Sequence, residues 1–298
     1  MMKKFSFSII VPCYNEQASI GTAIAKFDKV FKSLKNFEII IVNDGSKDKT
    51  LSIIKRNKNR KIFKKIKVLN HKINKGYGAA LKTGIRNAKY ENIVTYDSDC
   101  SYPLEKIPEF TKILIKDNAD MVVGARIGKS VSYSTLRSIP KWFLKKWICW
   151  IVKDDVPDIN SGLRIFKKVS ISKFMFILPN TFSFSMTITI AMMISGKHVI
   201  FRPINYQQRV LGKSKIKPIR DTLRFLRLIL RTGLIFAPLR VLSPIIYFLS
   251  FLLLFTLYSD FQNSNISDKT VILFILTTGM TFFSTLCELI VKSSMRNN

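Results

Sequence analysis

Cysteine is scarce in this chain, and its spacing excludes the usual cysteine chemistry. The 298 residues contain four cysteines, at positions 13, 100, 149 and 287, and no two of them form a CxxC pair or a metal-ligand spacing. This pattern gives no sign of a cysteine metal site and suits a reducing cytoplasm. We also expect no secretory signal, because the apolar stretch after Lys3 and Lys4 is short and strand-like.

Acidic residues are few as well. The chain has 19 Asp+Glu against 49 Lys+Arg, a formal net charge of +30. Such a charge is typical of nucleic-acid-binding proteins, but the lysines are scattered along the chain and no nucleic-acid-binding motif accompanies them. We therefore expect no nucleic-acid partner, and anionic lipid headgroups and phosphorylated substrates instead. A non-catalytic membrane protein that binds polyanions is the remote alternative.

Charge is absent from two long segments near the C-terminus. Residues 241–258 and 270–287 carry no charged side chain, and each segment is about as long as the hydrocarbon core of a bilayer requires. We expect a transmembrane hairpin, with spans at about 241–258 and 270–290, rather than the buried hairpin of a soluble protein. Lys and Arg flank the pair, so the positive-inside rule predicts that both termini and the N-terminal region are cytoplasmic.

The N-terminal half alternates between strand-like and helix-like segments. Apolar runs predict strands over 7–11, 37–42, 66–69, 93–96 and 121–124, and helical patterns lie between them over about 16–34, from 49, over 78–88 and after Pro103. Repeated βα units of this kind predict an open, mostly parallel, Rossmann-like α/β sheet. Ligands of such sheets bind outside the carboxyl ends of the strands.

Two basic segments connect this α/β region to the apolar hairpin. Residues 134–152 mix tryptophan with lysine, which suits a membrane interface or, equally, a helix packed on the sheet. In residues 217–236 the arginines recur every three or four positions along one helical face, at Arg220, Arg224, Arg227 and Arg231. We expect an α/β domain over 1–215, an amphipathic juxtamembrane helix over 216–237 and the hairpin over 238–298.

An acidic pair, Asp97 and Asp99, directly follows the predicted strand over 93–96. Two carboxylates this close repel each other unless a cation lies between them, and Mg²⁺ commonly bridges carboxylates to substrate phosphates. A polar turn is the alternative. The glycine-rich loop over 74–80 and the turn at Gly45 would let the backbone approach a phosphate or a sugar closely.

Taken in order, these motifs resemble those of the family 2 glycosyltransferases of GT-A fold. Within that family the chain looks most like the polyprenyl-phosphate glycosyltransferases, the group that includes dolichyl-phosphate mannose synthase. The resemblance covers about the first 215 residues and rests on the motifs at 12–16, 44–46, 74–84, 97–99, 124–126, 158–164 and 209–215. It implies metal-dependent, inverting transfer of a sugar from a UDP- or GDP-linked donor to a polyprenyl phosphate of undecaprenyl or dolichyl type at the cytoplasmic membrane face.

The resemblance also implies roles for individual residues. The nucleotide-sugar site would comprise Pro12, Tyr14, Glu16, Asp44, Lys75, Gly76, Asp97, Arg209 and Lys215. Asp99 and Asp97 would hold Mg²⁺ or Mn²⁺, and Arg126 and Arg137 would lie near the acceptor phosphate. Asp97, Asp99, Asp158 and Arg126 would form the catalytic group, with Asp158 near the sugar.

One position departs from the pattern of close relatives. Many of them carry Gln two residues after the second aspartate, whereas this chain has Ser101, whose shorter side chain would reach a metal only through water.

The acceptor class also has an alternative, a hydroxyl of a lipid or growing glycan. That acceptor would need a true general base, and no candidate is clearly better than Asp158. The sugar, the base and homo-oligomerisation stay open.

Overall fold

A seven-stranded sheet forms the centre of the computed structural model, which describes residues 5–127, 146–206 and 218–296. The strands are β1 (Phe7–Cys13), β2 (Phe37–Asp44), β3 (Ile66–His71), β4 (Asn92–Thr95), β5 (Met121–Ala125), β6 (Arg164–Lys167) and β7 (Val199–Pro203). Their order across the sheet is β3-β2-β1-β4-β6-β5-β7. The strands predicted from the apolar runs are therefore confirmed, and β6 and β7 are additions to them.

The sheet is mostly parallel, as predicted. β1 pairs in parallel with β2 and β4, β2 with β3, and β5 with β7. Among the strands of the described residues, only β6 runs antiparallel, between β4 and β5. The carboxyl ends of β1, β2 and β4 therefore meet at one edge of the sheet, and the segment that leads into β6 reaches that same edge.

Helices cover both faces of the sheet. They are α1 (Ile20–Val30), α2 (Thr50–Arg56), α3 (Tyr77–Arg86), α4 (Lys106–Lys116), α5 (Lys168–Ser172) and α6 (Phe184–Ile194). One apolar layer joins α1 and α4 to one face of β1 and β2, and a second joins α3 and α6 to the other face. Because both faces are covered, β1 is buried along its whole length.

α1 is shorter at both ends than the helix predicted over about 16–34, whereas α2 and α3 begin within one residue of the predicted positions. α1 begins at Ile20 rather than near residue 16, because the backbone N–H groups of Glu16 and Gln17 donate to Thr50 and Asp48 of the neighbouring loop. α2 ends at Arg56, after which two short 3₁₀ segments, Asn57–Asn59 and Lys61–Lys65, lead into β3.

Three helices close the described chain: α7 (Pro218–Phe236), α8 (Pro238–Gln262) and α9 (Asp268–Arg296). α8, and α9 as far as Val291, are long and apolar enough to cross a membrane. Only 11% and 17% of the apolar windows of these two helices are buried by protein. They differ in this respect from the core helices of a soluble domain, which are mostly buried. The predicted hairpin is thus a candidate transmembrane pair. Arg227 and Arg231 of α7 are exposed while Ile229 is buried, which fits an amphipathic helix.

Several predicted site residues lie outside the described part of the chain. These are Arg137, Arg209 and Lys215, together with the N-terminal part of the tryptophan-rich segment up to residue 145. The described remainder of that segment is helical over 146–152 and packs its Ile148 and Ile151 against α6 and α7. The domain boundaries at 215 and 237 stay a prediction.

Candidate active site

The loops that follow β1 and β2 are joined by hydrogen bonds at the carboxyl edge of the sheet. Asn15 adopts a φ of 54°, its N–H donates to Ser46 Oγ at 3.0 Å, and its Oδ1 accepts from the Lys47 N–H at 2.9 Å. The Glu16 N–H donates to Thr50 Oγ1 at 2.8 Å. This network fixes the 12–16 motif against the 44–50 turn. The two loops are therefore held next to each other at this edge of the sheet.

The residues of the 12–16 motif differ in accessibility. Pro12 is buried within β1 opposite Val42. Tyr14 is exposed, and Glu16 is partly buried and accepts a hydrogen bond from Ser19 Oγ. Of these predicted nucleoside contacts, Tyr14 offers the largest accessible surface. Pro12 is buried, so it would influence a nucleoside only indirectly, by fixing the backbone at the end of β1.

Asp44 is a buried carboxylate that holds the glycine-rich loop in place. Its Oδ1 accepts from the Lys75 N–H at 2.9 Å, its Oδ2 accepts from the Gly76 N–H at 2.8 Å, and His71 Nδ1 lies 2.6 Å from Oδ1. The other ring nitrogen of His71 lies 3.0 Å from Thr83 Oγ1. The structure therefore shows Asp44 organising the loop. A direct contact of Asp44 with a nucleoside stays a prediction, as does a contact of the exposed Lys75 side chain.

The glycine-rich loop also packs tightly against the segment that precedes α6. Gly76 has a φ of 98°, and a Cβ added there would collide with the carbonyl oxygen of Asn180. A Cβ at Gly78 would collide with the carbonyl oxygen of Pro179, and the Ala79 N–H donates to Asn180 O at 3.2 Å. The loop therefore needs glycine for both its conformation and its close approach to another backbone.

Asp97 is held between a tyrosine and a glycine. Tyr77 Oη donates to Asp97 Oδ1 at 2.9 Å, and a Cβ at Gly162 would overlap Asp97 Oδ2. Desolvation of the hydroxyl, together with the charge of Asp97, raises the pKa of Tyr77 well above its usual value, so the phenol remains a neutral donor. Gly162 is fixed in turn, because its N–H donates to Tyr102 Oη at 2.7 Å.

Asp99 lies in a tight turn after β4. Its Oδ1 accepts from the Ser101 N–H at 3.0 Å, and the intervening Cys100 has a φ of 60°. Ser101 is only 3% exposed, and its hydroxyl finds no hydrogen-bond partner among the described residues. Buried hydroxyls normally have a partner, so we expect this one to pair with a water molecule or another polar group from outside the described residues.

The chemistry of this edge suits a hard divalent cation. Asp97 and Asp99 offer carboxylate oxygens, which Mg²⁺ and Mn²⁺ prefer. The described residues contain no group of three or more His, Cys, Asp or Glu side chains that could hold a metal. The ligand set fits an ion that takes its remaining oxygens from water and substrate phosphates.

Arg126 and Asp158 form an ion pair beside this edge. Arg126 donates to Asp158 through its backbone N at 3.0 Å, Nε at 2.7 Å and Nη2 at 2.9 Å. Burial alone would raise the pKa of Asp158, but its hydrogen bonds and charge contact with Arg126 outweigh this and lower it. Burial likewise opposes ionisation of Arg126, but its hydrogen bonds with Asp158 more than compensate and raise its pKa. The guanidinium also lies 5.3 Å from the centre of the Tyr206 ring.

A second arginine, Arg164, supports the loop that carries Asp158. It is fully buried at the start of β6 and donates to Ser161 O at 2.8 Å, to Ile159 O at 2.7 Å and to Thr189 Oγ1. Burial lowers the pKa of Arg164 to about 10. Arg164 is thus a structural residue that shapes the 159–162 loop.

The structure brings Asp97, Asp99, Asp44, Lys75 and Gly76 to one edge of the sheet, and pairs Arg126 with Asp158. Sequence reasoning did not assign a role to Tyr77, Gly162 or Arg164, although all three lie in motifs that it quoted. Phe182, whose ring stacks on Tyr77 with centroids 5.1 Å apart, carried no sequence signal.

Comparison with known proteins identifies the family. Residues 8–173, more than half of the chain, match the description "Glycosyl transferase family 2". The chain belongs to this family. It is a glycosyltransferase, and the resemblance inferred from its motifs is confirmed.

Named relatives of this glycosyltransferase act on polyprenyl phosphates. It is 27% identical over 250 residues to an undecaprenyl-phosphate 4-deoxy-4-formamido-L-arabinose transferase of Pseudomonas savastanoi pv. phaseolicola, covering 80% of this chain and 68% of the relative. It is 28% identical over 219 residues to a dolichol-phosphate mannosyltransferase of Pyrococcus furiosus, covering 70% of this chain and 59% of the relative. The chain thus spans less than two thirds of the Pyrococcus enzyme.

A solved structure supports the fold of the glycosyltransferase. The glucosyl-3-phosphoglycerate synthase of Mycobacterium tuberculosis, crystallised with Mn²⁺, UDP and glucosyl-3-phosphoglycerate, matches with a TM-score of 0.53 and 16% identity. The match covers 77% of this chain and 78% of that protein. At this identity the match shows the GT-A fold, which the motifs predicted.

Proposed function

We propose that this family 2 glycosyltransferase transfers a sugar from a UDP- or GDP-linked donor to a polyprenyl phosphate at the cytoplasmic face of a membrane, with inversion at the anomeric carbon. The named relatives support the lipid phosphate acceptor. The candidate transmembrane pair supports the membrane location, since a polyprenyl acceptor is available only at a bilayer.

The proposal of a phosphate acceptor rather than a hydroxyl acceptor rests on the Arg126–Asp158 ion pair. An acceptor hydroxyl must lose a proton during transfer, so it needs a base whose pKa lies near the working pH. Asp158 is a poor base, because its hydrogen bonds with Arg126 outweigh burial and keep its pKa below the usual value. A phosphate monoester is already an anion at neutral pH and needs no such base. The ion pair therefore favours a phosphate acceptor over a hydroxyl acceptor.

The donor would bind along the carboxyl edge of the sheet. Asp99 and Asp97 would hold Mg²⁺ or Mn²⁺, an ion that, when bound, neutralises charge on the diphosphate leaving group. The loop at Lys75 and Gly76 would lie close to the donor, as would Tyr14. Arg209 and Lys215 would neutralise the same diphosphate, and Arg137 would act with Arg126 near the acceptor phosphate.

A transfer assay on the purified full-length protein in detergent tests this proposal. Labelled UDP- and GDP-sugars are offered with and without undecaprenyl or dolichyl phosphate, in Mg²⁺, Mn²⁺ or excess chelator. We expect label in the lipid fraction only with a polyprenyl phosphate and a divalent ion. The anomeric configuration of the product, read by NMR against that of the donor, tests inversion.

The Asp99→Ala variant tests the metal assignment in the same assay. We expect its transfer rate to fall at least about 100-fold, because one charged oxygen ligand is lost. The matched control is Asp117→Ala, which removes an exposed aspartate after α4 and should leave the rate unchanged. Near-normal transfer by Asp99→Ala would contradict the metal assignment. Equal labelling with and without a polyprenyl phosphate would contradict the proposed acceptor.

A further inference from the structure

Phe182 is a largely exposed aromatic residue beside the candidate active site. Its side chain is 78% exposed, while one face of its ring stacks on Tyr77 at an interplanar angle of 19°. Tyr77 in turn donates to Asp97. The phenyl ring of Phe182 is therefore one side chain away from a carboxylate of the proposed donor site, and its other face is open.

The backbone around Phe182 is held in place. Asn180 accepts from the Ala79 N–H through its carbonyl oxygen at 3.2 Å and from Lys82 Nζ through Oδ1 at 2.9 Å. The Phe184 N–H donates to Thr181 O at 3.2 Å at the start of α6. These hydrogen bonds fix the backbone on both sides of Phe182, so its exposed ring has a defined position from which it can contact a ligand.

Phe182 ends a segment, residues 174–182, whose other end lies against the start of the candidate membrane hairpin. Phe174 packs edge-on against Phe236, with ring centroids 5.9 Å apart. Phe236 ends α7, and the first candidate span begins at Pro238. Phe176, two residues after Phe174, is 75% exposed. The segment 174–182 thus extends from the entry of the hairpin to the ring that stacks on Tyr77.

We propose that Phe182, with Phe176 nearer the bilayer, binds the first isoprene units of the acceptor lipid. This inference rests on the proposed function. A polyprenyl phosphate must leave the bilayer with its phosphate directed at the donor site, so the chain next to the phosphate needs apolar contacts outside the membrane. The open face of Phe182 would supply such a contact next to Tyr77, the hydrogen-bond partner of Asp97. Phe176, two residues from the Phe174 that packs on Phe236, would supply another.

Kinetics of the Phe182→Ala variant in lipid nanodiscs test the proposal. The full-length chain is assayed with a two-isoprene phosphate and with undecaprenyl phosphate, because both contain the units next to the phosphate. Loss of the ring should raise KM for both acceptors roughly tenfold, as expected for one buried aromatic contact. The affinity for the nucleotide sugar, measured by calorimetry, should not change, and Phe182→Leu should recover most of the loss.

Two further variants separate this role from others. Phe261→Ala removes another exposed phenylalanine, which is 83% exposed at the far end of α8, and should leave both KM values unchanged. Tyr77→Phe keeps the stacking ring but deletes the hydrogen bond to Asp97, so it should alter donor affinity and not acceptor KM.

The proposal is wrong if Phe182→Ala leaves acceptor KM unchanged, or if it lowers donor affinity as Tyr77→Phe does, since Phe182 would then only support Tyr77. The exposure of Phe182 makes a folding defect unexpected, and a thermal melt checks it. Failure of the proposed function is distinguishable, because the unmutated protein would then transfer no sugar to either lipid phosphate.

Discussion

At the scale of single residues, the hydroxyl of Ser101 is, within the described part of the chain, an unpaired buried group next to the proposed metal ligand Asp99. It is buried beside Asp99 without a partner among the described residues, so its desolvation costs stability in the metal-free protein. A hydroxyl at this position is too short to replace a long amide ligand, but it can bind a water molecule that is itself bound to the metal. The same hydroxyl would then increase metal affinity and decrease the stability of the metal-free protein.

Replacing Ser101 by Ala should separate these two effects. We expect the metal-free variant to be as stable as the original protein or more stable by about 1 kcal/mol, because an unpaired buried hydroxyl is removed. We expect Mn²⁺ affinity, measured by electron paramagnetic resonance of the free ion, to fall roughly tenfold, as is common when a partner of a metal ligand is lost.

A control for this pair of measurements is available in α6. Thr187 Oγ1 is likewise buried without a partner among the described residues. Thr187→Val should therefore match the stability effect and leave Mn²⁺ affinity unchanged. If Ser101→Ala binds Mn²⁺ as tightly as the original protein, the hydroxyl has no role in the metal site.

At the scale of elements, the loop between β3 and α3 is the tightly packed part of the proposed donor site. Gly76 combines a φ of 98° with close packing on Asn180, and its N–H donates to Asp44. Gly76→Ala should therefore cost at least about 2 kcal/mol of unfolding free energy. It should also weaken nucleotide-sugar binding, because the whole loop must shift. Chemical denaturation and calorimetry measure the two effects.

Gly196 provides the matched comparison for Gly76. It also has a positive φ, 69°, but a Cβ there would meet nothing within 4 Å. Gly196→Ala should show only the conformational cost of about 1 kcal/mol and normal nucleotide binding. Equal losses in the two variants would mean that the contact between Gly76 and Asn180 contributes nothing.

The elements that sequence reasoning predicted are those with a strong local signal. β1 and β2 are long apolar runs, so both were predictable. β6 has only four residues and begins with Arg164. A run this short with a charged first residue does not give the apolar pattern that predicts a buried strand. Its antiparallel position between β4 and β5 depends on partners far away in the chain, which local patterns do not specify.

The candidate site follows the same rule. The acidic pair Asp97 and Asp99 was predictable because carboxylates at a strand end are visible in the sequence itself. The Arg126–Asp158 pair spans 32 residues and the Tyr77–Asp97 hydrogen bond spans 20. Both arise only when the sheet brings distant loops to one edge. Phe182 has neither a motif nor a periodic pattern, so only the folded chain shows its place.

At the scale of the whole molecule, the first candidate span is packed directly against the α/β region. An apolar cluster joins Ile151, Ile190 and Val241, which lie in the 146–152 helix, α6 and α8. Arg240 Nη1 also donates to Ile151 O at 2.7 Å. These contacts hold the start of α8 against the sheet domain, so the orientation of the hairpin in a membrane would determine the side on which the candidate site lies.

That orientation can be predicted from charge and tested by labelling. The stretch 259–269, which joins the two candidate spans, contains one basic residue, Lys269, beside Asp260 and Asp268, whereas Lys292 and Arg296 lie near the end of α9. The positive-inside rule therefore predicts that this stretch lies outside and the C-terminus in the cytoplasm. A cysteine introduced at exposed Asn265 should react with a membrane-impermeant maleimide in intact cells. One at exposed Ser293 should react only after permeabilisation. The original protein gives the background from its own cysteines, and the reverse labelling pattern would place the candidate site outside the cell, away from nucleotide sugars.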